Sequence, residues 1–287
     1  MLGTMSKLLT KDAIEQFHTQ GYCGPVSVLK PLETKYFREC LETFEHNHPN
    51  DAQKLKTKSH LLCPWVVEMA RHSRLLDAFE DLIGPDILCY SMAFRNKNAD
   101  GRTFAGWHQD TLYLPIEPIL VIGALALSEC GPEQGCLRVI PGSHKGEVLP
   151  HGEATNPHSI LARGQFIETD IDESKAVNLA LRPGEIALFN SGIVHGSGIN
   201  SGKDRRLMLL VEMMPAHAYS HRHRETAMLV RGKDRHNNHD PDRPAEVEFG
   251  PAEQEAWLTA TESRGKNIFL DSKLPVSEAY GGPRDNG

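Results

Sequence analysis

Between Ile87 and Met214 the chain repeats one device, a short apolar run closed by turn residues: "ILCYSMAF", "ILVIGALAL", "CLRVI", "AVNLAL", "EIALFN" and "RLMLLVEMM". Strands at this density, with "PGSH" and "RPGE" between them, predict a sandwich or barrel of two packed sheets. The run from Ile119 to Leu127 is far short of the ~20 residues that cross a bilayer and reads as a buried strand. A polar interval from about Pro150 to Glu173 interrupts the series. A long excursion of this kind is a lid, a binding loop or a plain surface insertion.

Upstream the periodicity is helical. Thr10 precedes "KDAIEQFHTQGY" with Gly21 after it, an N-capped helix closed by glycine. "PLETKYFRECLETFEHN" starts on Pro31 and spaces Tyr36, Cys40, Leu41 and Phe44 as one face. A third helix is expected from about Pro64 to Leu82, with Val66, Met69, Leu75, Phe79 and Leu82 as its stripe. The expected organisation is a single domain over 1–287: a mostly helical part to residue 85, a β core over 86–215, and a C-terminal extension over 216–287. That extension is rich in charge, histidine and proline, lacks regular ligand spacing, and ends in "LPVSEAYGGPRDNG", which reads as a flexible tail.

Composition excludes some classes. A net charge of −7 disfavours nucleic-acid partners, and the short run Lys54, Lys56, Lys58 reads as solvated surface. The six cysteines contain no CxxC pair and are expected as reduced thiols. The start "MLGTMSKLLTKDAIEQF" has no apolar core like that of an export signal, so the expectation is a cytoplasmic protein with no membrane partner; composition leaves its oligomeric state open.

The chemistry concentrates in "GWHQDTLY". On a strand, His108 and Asp110 project from the same side while Gln109 points away. A third ligand is offered by His195 in "VHGSGIN", just past an apolar run and on a different strand, which a two-sheet fold can bring alongside. Two histidines and a carboxylate on one face of a metal suit non-haem iron(II) oxygenation, and also zinc hydrolysis. "DRR" bears on that choice: Arg205 and Arg206 open the next strand, only one of them can face inward, and a guanidinium there can hold a carboxylate such as that of 2-oxoglutarate.

Taken in order, "LTKDAIEQFHTQGY", "HLLCPWVVEMARHSRLLDAFEDLIGPDIL", "GWHQDTLY", "GCLRVIPGSHKGEVLPH", "VHGSGIN" and "AMLVRGKDRH" resemble the phytanoyl-CoA dioxygenase family of iron(II)- and 2-oxoglutarate-dependent oxygenases over most of the chain, nearest its bacterial small-metabolite hydroxylases. The resemblance implies a mainly β fold with flanking helices, a double-stranded β-helix (cupin-like jelly roll), with His108, Asp110 and His195 as metal ligands. It implies Fe(II) as cofactor and 2-oxoglutarate and dioxygen as co-substrates, consumed with release of succinate and carbon dioxide. The family's co-substrate arginine, eleven positions after the last histidine, falls on Arg206, and Ser197 matches a hydroxyl position beside the same carboxylate. Halogenating relatives replace the carboxylate with a small residue; Asp110 keeps it and points to hydroxylation.

Around this set, Trp107, Thr111 and Tyr113 are candidate substrate contacts, with core or rim roles as the alternative for the aromatics. Gln109 is expected in a structural role, and Ser143 and His144 in a rim hydrogen-bond network. Arg95, Lys97 and His60 read first as solvated residues and second as anion contacts. "VRGKDRH" is expected near the pocket mouth. The expected activity is hydroxylation of a small polar or anionic metabolite, for example an aminoalkylphosphonate or amino-acid-like compound. An acyl-CoA or other lipid-like substrate, a non-catalytic metal-binding cupin and a zinc hydrolase stand as the alternatives.

Overall fold

A computed structural model describes residues 6–273; the "LPVSEAYGGPRDNG" segment lies outside the described residues. In chain order the strands are β1 (Tyr22–Ser27), β2 (Ile87–Phe94), β3 (Ala105–His108), β4 (Ile116–Glu117), β5 (Val121–Ala126), β6 (Leu137–Val139), β7 (His151–Gly152), β8 (Phe166–Ile167), β9 (Val177–Leu179), β10 (Glu185–Asn190), β11 (His195–Ser197), β12 (Met208–Pro215), β13 (Tyr219–Ser220), β14 (Thr226–Arg231) and β15 (Asp240–Pro241). A seven-stranded sheet runs β1-β10-β5-β12-β2-β14-β15 and faces a four-stranded sheet β3-β11-β6-β9. From β2 to β3, β5, β6, β9, β10, β11 and β12 the chain passes repeatedly between the two sheets, which makes the fold a double-stranded β-helix.

The larger sheet is covered on both faces, which is why its strands read as nearly continuous apolar runs. On β2, Cys89 and Met92 join one core cluster, while Leu88 and Tyr90 join the other. On β10, Ile186 and Leu188 face the first cluster and Ala187 and Phe189 the second. The first cluster packs the sheet against helices α1 (Lys11–Gln20), α2 (Pro31–Asn47), α3 (Pro64–Ala70) and α4 (Ser73–Ile83). Each Leu or Phe buried there contributes roughly 1.5–3 kcal/mol. The second cluster fills the space towards the smaller sheet, where the site lies.

The helix signals translate directly at two places. The Thr10 side chain accepts from Ala13 N, Gly21 closes α1 at φ 84°, and Glu33 caps the backbone of Lys30 ahead of α2. The expected 64–82 helix is instead two, broken at Arg71 and His72, where His72 is extended. The stripe explains the break: Met69 and Leu75 are six residues apart, so an unbroken helix at 3.6 residues per turn would set them about 120° apart around its axis. Breaking it buries both.

The region after Met214 is built into the body of the fold. β14 pairs with β2 in the larger sheet, and helix α5 (Pro251–Ile268) buries Trp257, Ala260, Arg264 and Ile268 along one face. "VRGKDRH" does not reach the pocket: Arg231 pairs with Asp77 and Glu80 of α4, and Lys233 N donates to Asp86. Two basic residues expected in solvent are buried here. Lys58 donates to Asp242, Tyr90 O and Thr226 O, and His60 bonds the same Asp242 oxygen at 3.0 Å. Their partner carboxylate lies far along the chain, so nothing local marked them.

Removing one member of a buried pair leaves an uncompensated charge, so Lys58→Met is expected to cost about 3–5 kcal/mol in urea unfolding. His239 is 4% exposed, with neither ring nitrogen hydrogen-bonded among the described residues. Burial first, and then the charge of Lys58, lowers its pKa from 6.5 to about 4. The folded chain therefore holds His239 neutral where the unfolded chain takes up a proton. Its contribution is intact above pH 6.5 and lost as pH falls through about 4, up to about 3 kcal/mol. Unfolding curves across that window should show this loss, reduced in His239→Leu.

Candidate metal centre and its cavity

The register of β3 against β11 sets His108 directly opposite His195 on the antiparallel pair. β3 ends at His108, and Asp110 stands instead at the start of a 3₁₀ turn, Asp110–Leu112. The expectation that His108 and Asp110 share one face of a continuous strand is thus corrected. A turn lets the carboxylate swing back between the two imidazoles, because Asp110 N and Thr111 N both donate to Ser191 O. One ligand atom from each of His108, Asp110 and His195 lies within 4.8 Å of the others. Nε2 of His108 is 3.4 Å from Asp110 Oδ1, and Nε2 of His195 is 3.5 Å from Oδ2.

Each ring is aimed by its other nitrogen. Nδ1 of His108 lies 2.8 Å from Gly106 O and Nδ1 of His195 2.9 Å from Ile193 O, so both place their protons on Nδ1 and leave Nε2 as a lone pair. Burial, followed by repulsion from His108, takes His195 down to about 4. Burial alone would raise Asp110, but the two imidazoles beside it, His195 first and then His108, outweigh it and hold the carboxyl at about 2. At neutral pH the His195–Asp110 pair is a neutral imidazole beside a carboxylate, the protonation state that ligates a divalent cation.

Neighbouring residues hold the two ligand segments together. Gln109 points away from the ligands, donates to Gly192 O and accepts from Leu149 N. Ser143 Oγ accepts from Val194 N, the residue before His195, and donates to Ile140 O. His144 lies against α1, 3.3 Å from His18 O.

The triad opens into a cavity lined also by Tyr113, Ser197, Arg206, Glu212 and Arg264 among other residues. Its roof comes from the 150–173 excursion, through Ile160, Leu161, Ala162 and Gln165. Arg163 of the same excursion stacks over Tyr113, donates to Ile268 O at the end of α5 and pairs with Glu153. Trp107 and Thr111 do not line the cavity. Trp107 donates to Glu173 under Arg138, and the buried Thr111 hydroxyl has no hydrogen-bond partner among the described residues.

Of the paired arginines, Arg206 faces inward and Arg205 turns out to a two-pronged pair with Glu45 on α2. Arg206 is fully buried and donates to Gly135 O and Arg95 O, with Nε unpartnered. No carboxylate among the described residues neutralises it. Gly135 adopts φ 62°, and a Cβ there would lie 2.5 Å from Ile199 O, so the carbonyl that receives Arg206 depends on glycine. Ser197 is held by Lys97, whose Nζ donates to Ser197 Oγ at 2.7 Å and to Gly198 O. Lys97, expected in solvent, is buried, and burial followed by the charge of Arg206 lowers its pKa to about 6.

Sequence reasoning missed Glu212 and Arg264 on the cavity wall. Glu212 carried a signal: an acidic residue alone in the apolar run "RLMLLVEMM", in step with Arg206, Met208 and Leu210 at period two. Arg264 carried none.

Ni(II) titration tests the triad. His108→Ala, Asp110→Ala and His195→Ala are each expected to lose more affinity than the roughly 10- to 100-fold that removal of an outer partner costs, a range expected for Ser143→Ala. His144→Ala should bind as the parent does.

Comparison with known proteins agrees with this geometry. The family described as Phytanoyl-CoA dioxygenase (PhyH) matches residues 17–208, a span that holds the triad, Ser197 and Arg206. "Phytanoyl-CoA dioxygenase, peroxisomal" of Homo sapiens is 31% identical over 60% of this chain and 52% of its own length. "Probable alpha-ketoglutarate-dependent hypophosphite dioxygenase" of Stutzerimonas stutzeri is 27% identical over 56% of each chain. The chain thus spans about half the length of the curated relatives it matches. The solved structure of ThoJ, described as a non-heme monooxygenase in its apo form, superposes with a TM-score of 0.80 at 27% identity, covering 90% of this chain and 98% of its own. A two-sheet fold that sets His108 opposite His195, and a family match across both sheets, lead to one statement: this chain belongs to the phytanoyl-CoA dioxygenase family.

Proposed function

We propose that the protein is an iron(II)- and 2-oxoglutarate-dependent oxygenase that hydroxylates a small polar or anionic metabolite, for example an aminoalkylphosphonate or amino-acid-like compound. The observation that carries this reading is Arg206. A buried guanidinium without a protein carboxylate is costly, and a bound carboxylate in the same cavity as a metal triad offsets that cost. The donor set fits Fe(II): two imidazole nitrogens and one carboxylate, with the cavity side open.

Bound iron with 2-oxoglutarate and dioxygen supplies the oxidising chemistry. The chain supplies placement. Arg206 and Ser197 receive the far carboxylate of the co-substrate, and Lys97 holds the Ser197 hydroxyl from behind. His108, Asp110 and His195 fix the metal within reach of the same cavity. The roof over Ile160 and Leu161, latched through Arg163 to α5, keeps water from the reacting substrate. Asp110 occupies the position that a halide would otherwise take, which favours hydroxylation.

The test is succinate formation by iron-loaded protein with 2-oxoglutarate and oxygen, against a panel of small anions, aminoalkyl acids and one acyl-CoA. The expected result is succinate stimulated by a small polar member, absent without oxygen and absent in Asp110→Ala. Arg206→Met is expected to weaken 2-oxoglutarate binding by about 10- to 100-fold, as loss of a charge-assisted pair does. Stimulation by the acyl-CoA alone would move the substrate to the lipid class. Turnover without oxygen would replace oxygenation by hydrolysis, and a protein that binds metal but neither binds nor consumes 2-oxoglutarate is a non-catalytic cupin.

A further inference from the structure

The inward-facing series that starts at Arg206 continues into β12. Arg206, Met208, Leu210 and Glu212 all line the cavity, so at about 3.3 Å per residue its two charged ends stand roughly 20 Å apart. At the far end Glu212 Oε2 accepts from Arg264 Nη2 at 2.7 Å, both side chains buried. Glu212 Oε1 has no hydrogen-bond partner among the described residues. Arg264 is held in place by its guanidinium lying 4.5 Å over the Tyr90 ring, and the Tyr90 hydroxyl donates to Glu225 at 2.6 Å. Leu114, Leu210 and Ile268 line the same cavity and give it an apolar wall.

The two ends differ in sign. Around Arg206 the buried charge is cationic with no carboxylate partner. Around Glu212 the buried carboxyl groups are Glu212, Glu225 and Asp242, and the buried cations are Lys58 and Arg264. With Glu225 ionised this corner is net negative, and with it protonated it is neutral; in neither state does it favour an anion. An ion pair contributes little net stability when buried. On a cavity wall with one carboxylate oxygen uncommitted, it makes a receptor for a donor group.

Resting on the oxygenase reading above, we propose that Glu212, fixed by Arg264 of the C-terminal helix, binds an ammonium group of the substrate, so that the substrate class is a small primary amine with an apolar segment beside its amine. Glu212 Oε1 accepts from the ammonium, Arg264 keeps the carboxylate aimed, and the leucine and isoleucine side chains pack the carbon chain. Substrate and co-substrate are sorted by charge to opposite ends of the Arg206–Glu212 segment.

Matched probes test this on the Ni(II)- and 2-oxoglutarate-loaded protein, which cannot turn over: 3-aminopropanoate against propanoate, 2-aminoethylphosphonate against ethylphosphonate, and butylammonium against butanol. Calorimetry on the parent protein is expected to show each amine binding about 10- to 100-fold tighter than its partner, the size of one hydrogen bond to a charged group. Glu212→Gln should abolish that gap, as should Glu212→Gln with Arg264→Gln, which removes both members of the ion pair together. Equal affinities within the pairs on the parent protein overturn the proposal. So does a gap that persists in folded Glu212→Gln, or failure of every amine to bind at millimolar concentration while 2-oxoglutarate binds. If 2-oxoglutarate does not bind, the oxygenase reading fails instead, and the same pairs titrated without it still decide whether Glu212 selects amines.

Discussion

A sheet covered on both faces has no solvent side, and this constraint organises the molecule. Helices α1 to α4 take one face of the seven-stranded sheet, so every polar side chain on the other face must find a partner or line a cavity. The segment from Arg206 into β12 shows both solutions. Glu212 finds Arg264 from α5, whereas Arg206 finds only carbonyl oxygens and stays a buried cation awaiting an anion. The site is thus where the core cannot be completed with apolar residues, and its two charged ends follow from the alternation of the extended segment from Arg206 to Glu212.

The metal centre depends on the same economy of placement. Pairing β3 with β11 fixes both histidines through backbone hydrogen bonds, and the Nδ1 contacts to Gly106 O and Ile193 O fix their tautomer. Asp110 is held by a different device, its own amide on Ser191 O at the mouth of the second ligand turn. Two ligands therefore come from a ladder and one from a turn clamped to it. Gln109 ties those turns to Leu149, just ahead of the roof segment, and Ser143 ties Val194 to Ile140, just past β6.

What the sequence made legible was local. Thr10 and Gly21 act on neighbours within a few residues and Pro31 suits a first helical turn, so the start and end of α1 and the start of α2 could be read directly. The strands of the larger sheet were legible because burial on both faces makes them apolar throughout. His108, Asp110 and His195 were found by ligand chemistry, and Arg206 was separated from Arg205 by the resemblance, with which the inward turn of its side chain agrees. The misplaced residues depend on distant partners. Lys58, His60 and Lys97 look like solvated residues until Asp242 and the Ser197 turn come beside them. Arg264 looks like any charged residue on a helix, and its role exists only because β12 presents Glu212 to it.

The C-terminal helix is therefore part of the site. Its Ile268 lines the cavity, its Ile268 carbonyl anchors the roof through Arg163, and its Arg264 orients Glu212. The end at Arg206 is built from β11, the residues leading into β12 and the turn at Gly135 ahead of β6. The opposite end is assembled by an element outside them. On the proposed reading, the oxidising chemistry stays with the sheet register while substrate choice rests on how α5 docks. A change on α5 can then alter which molecule is accepted without moving a metal ligand, whereas a change in β3 or β11 cannot.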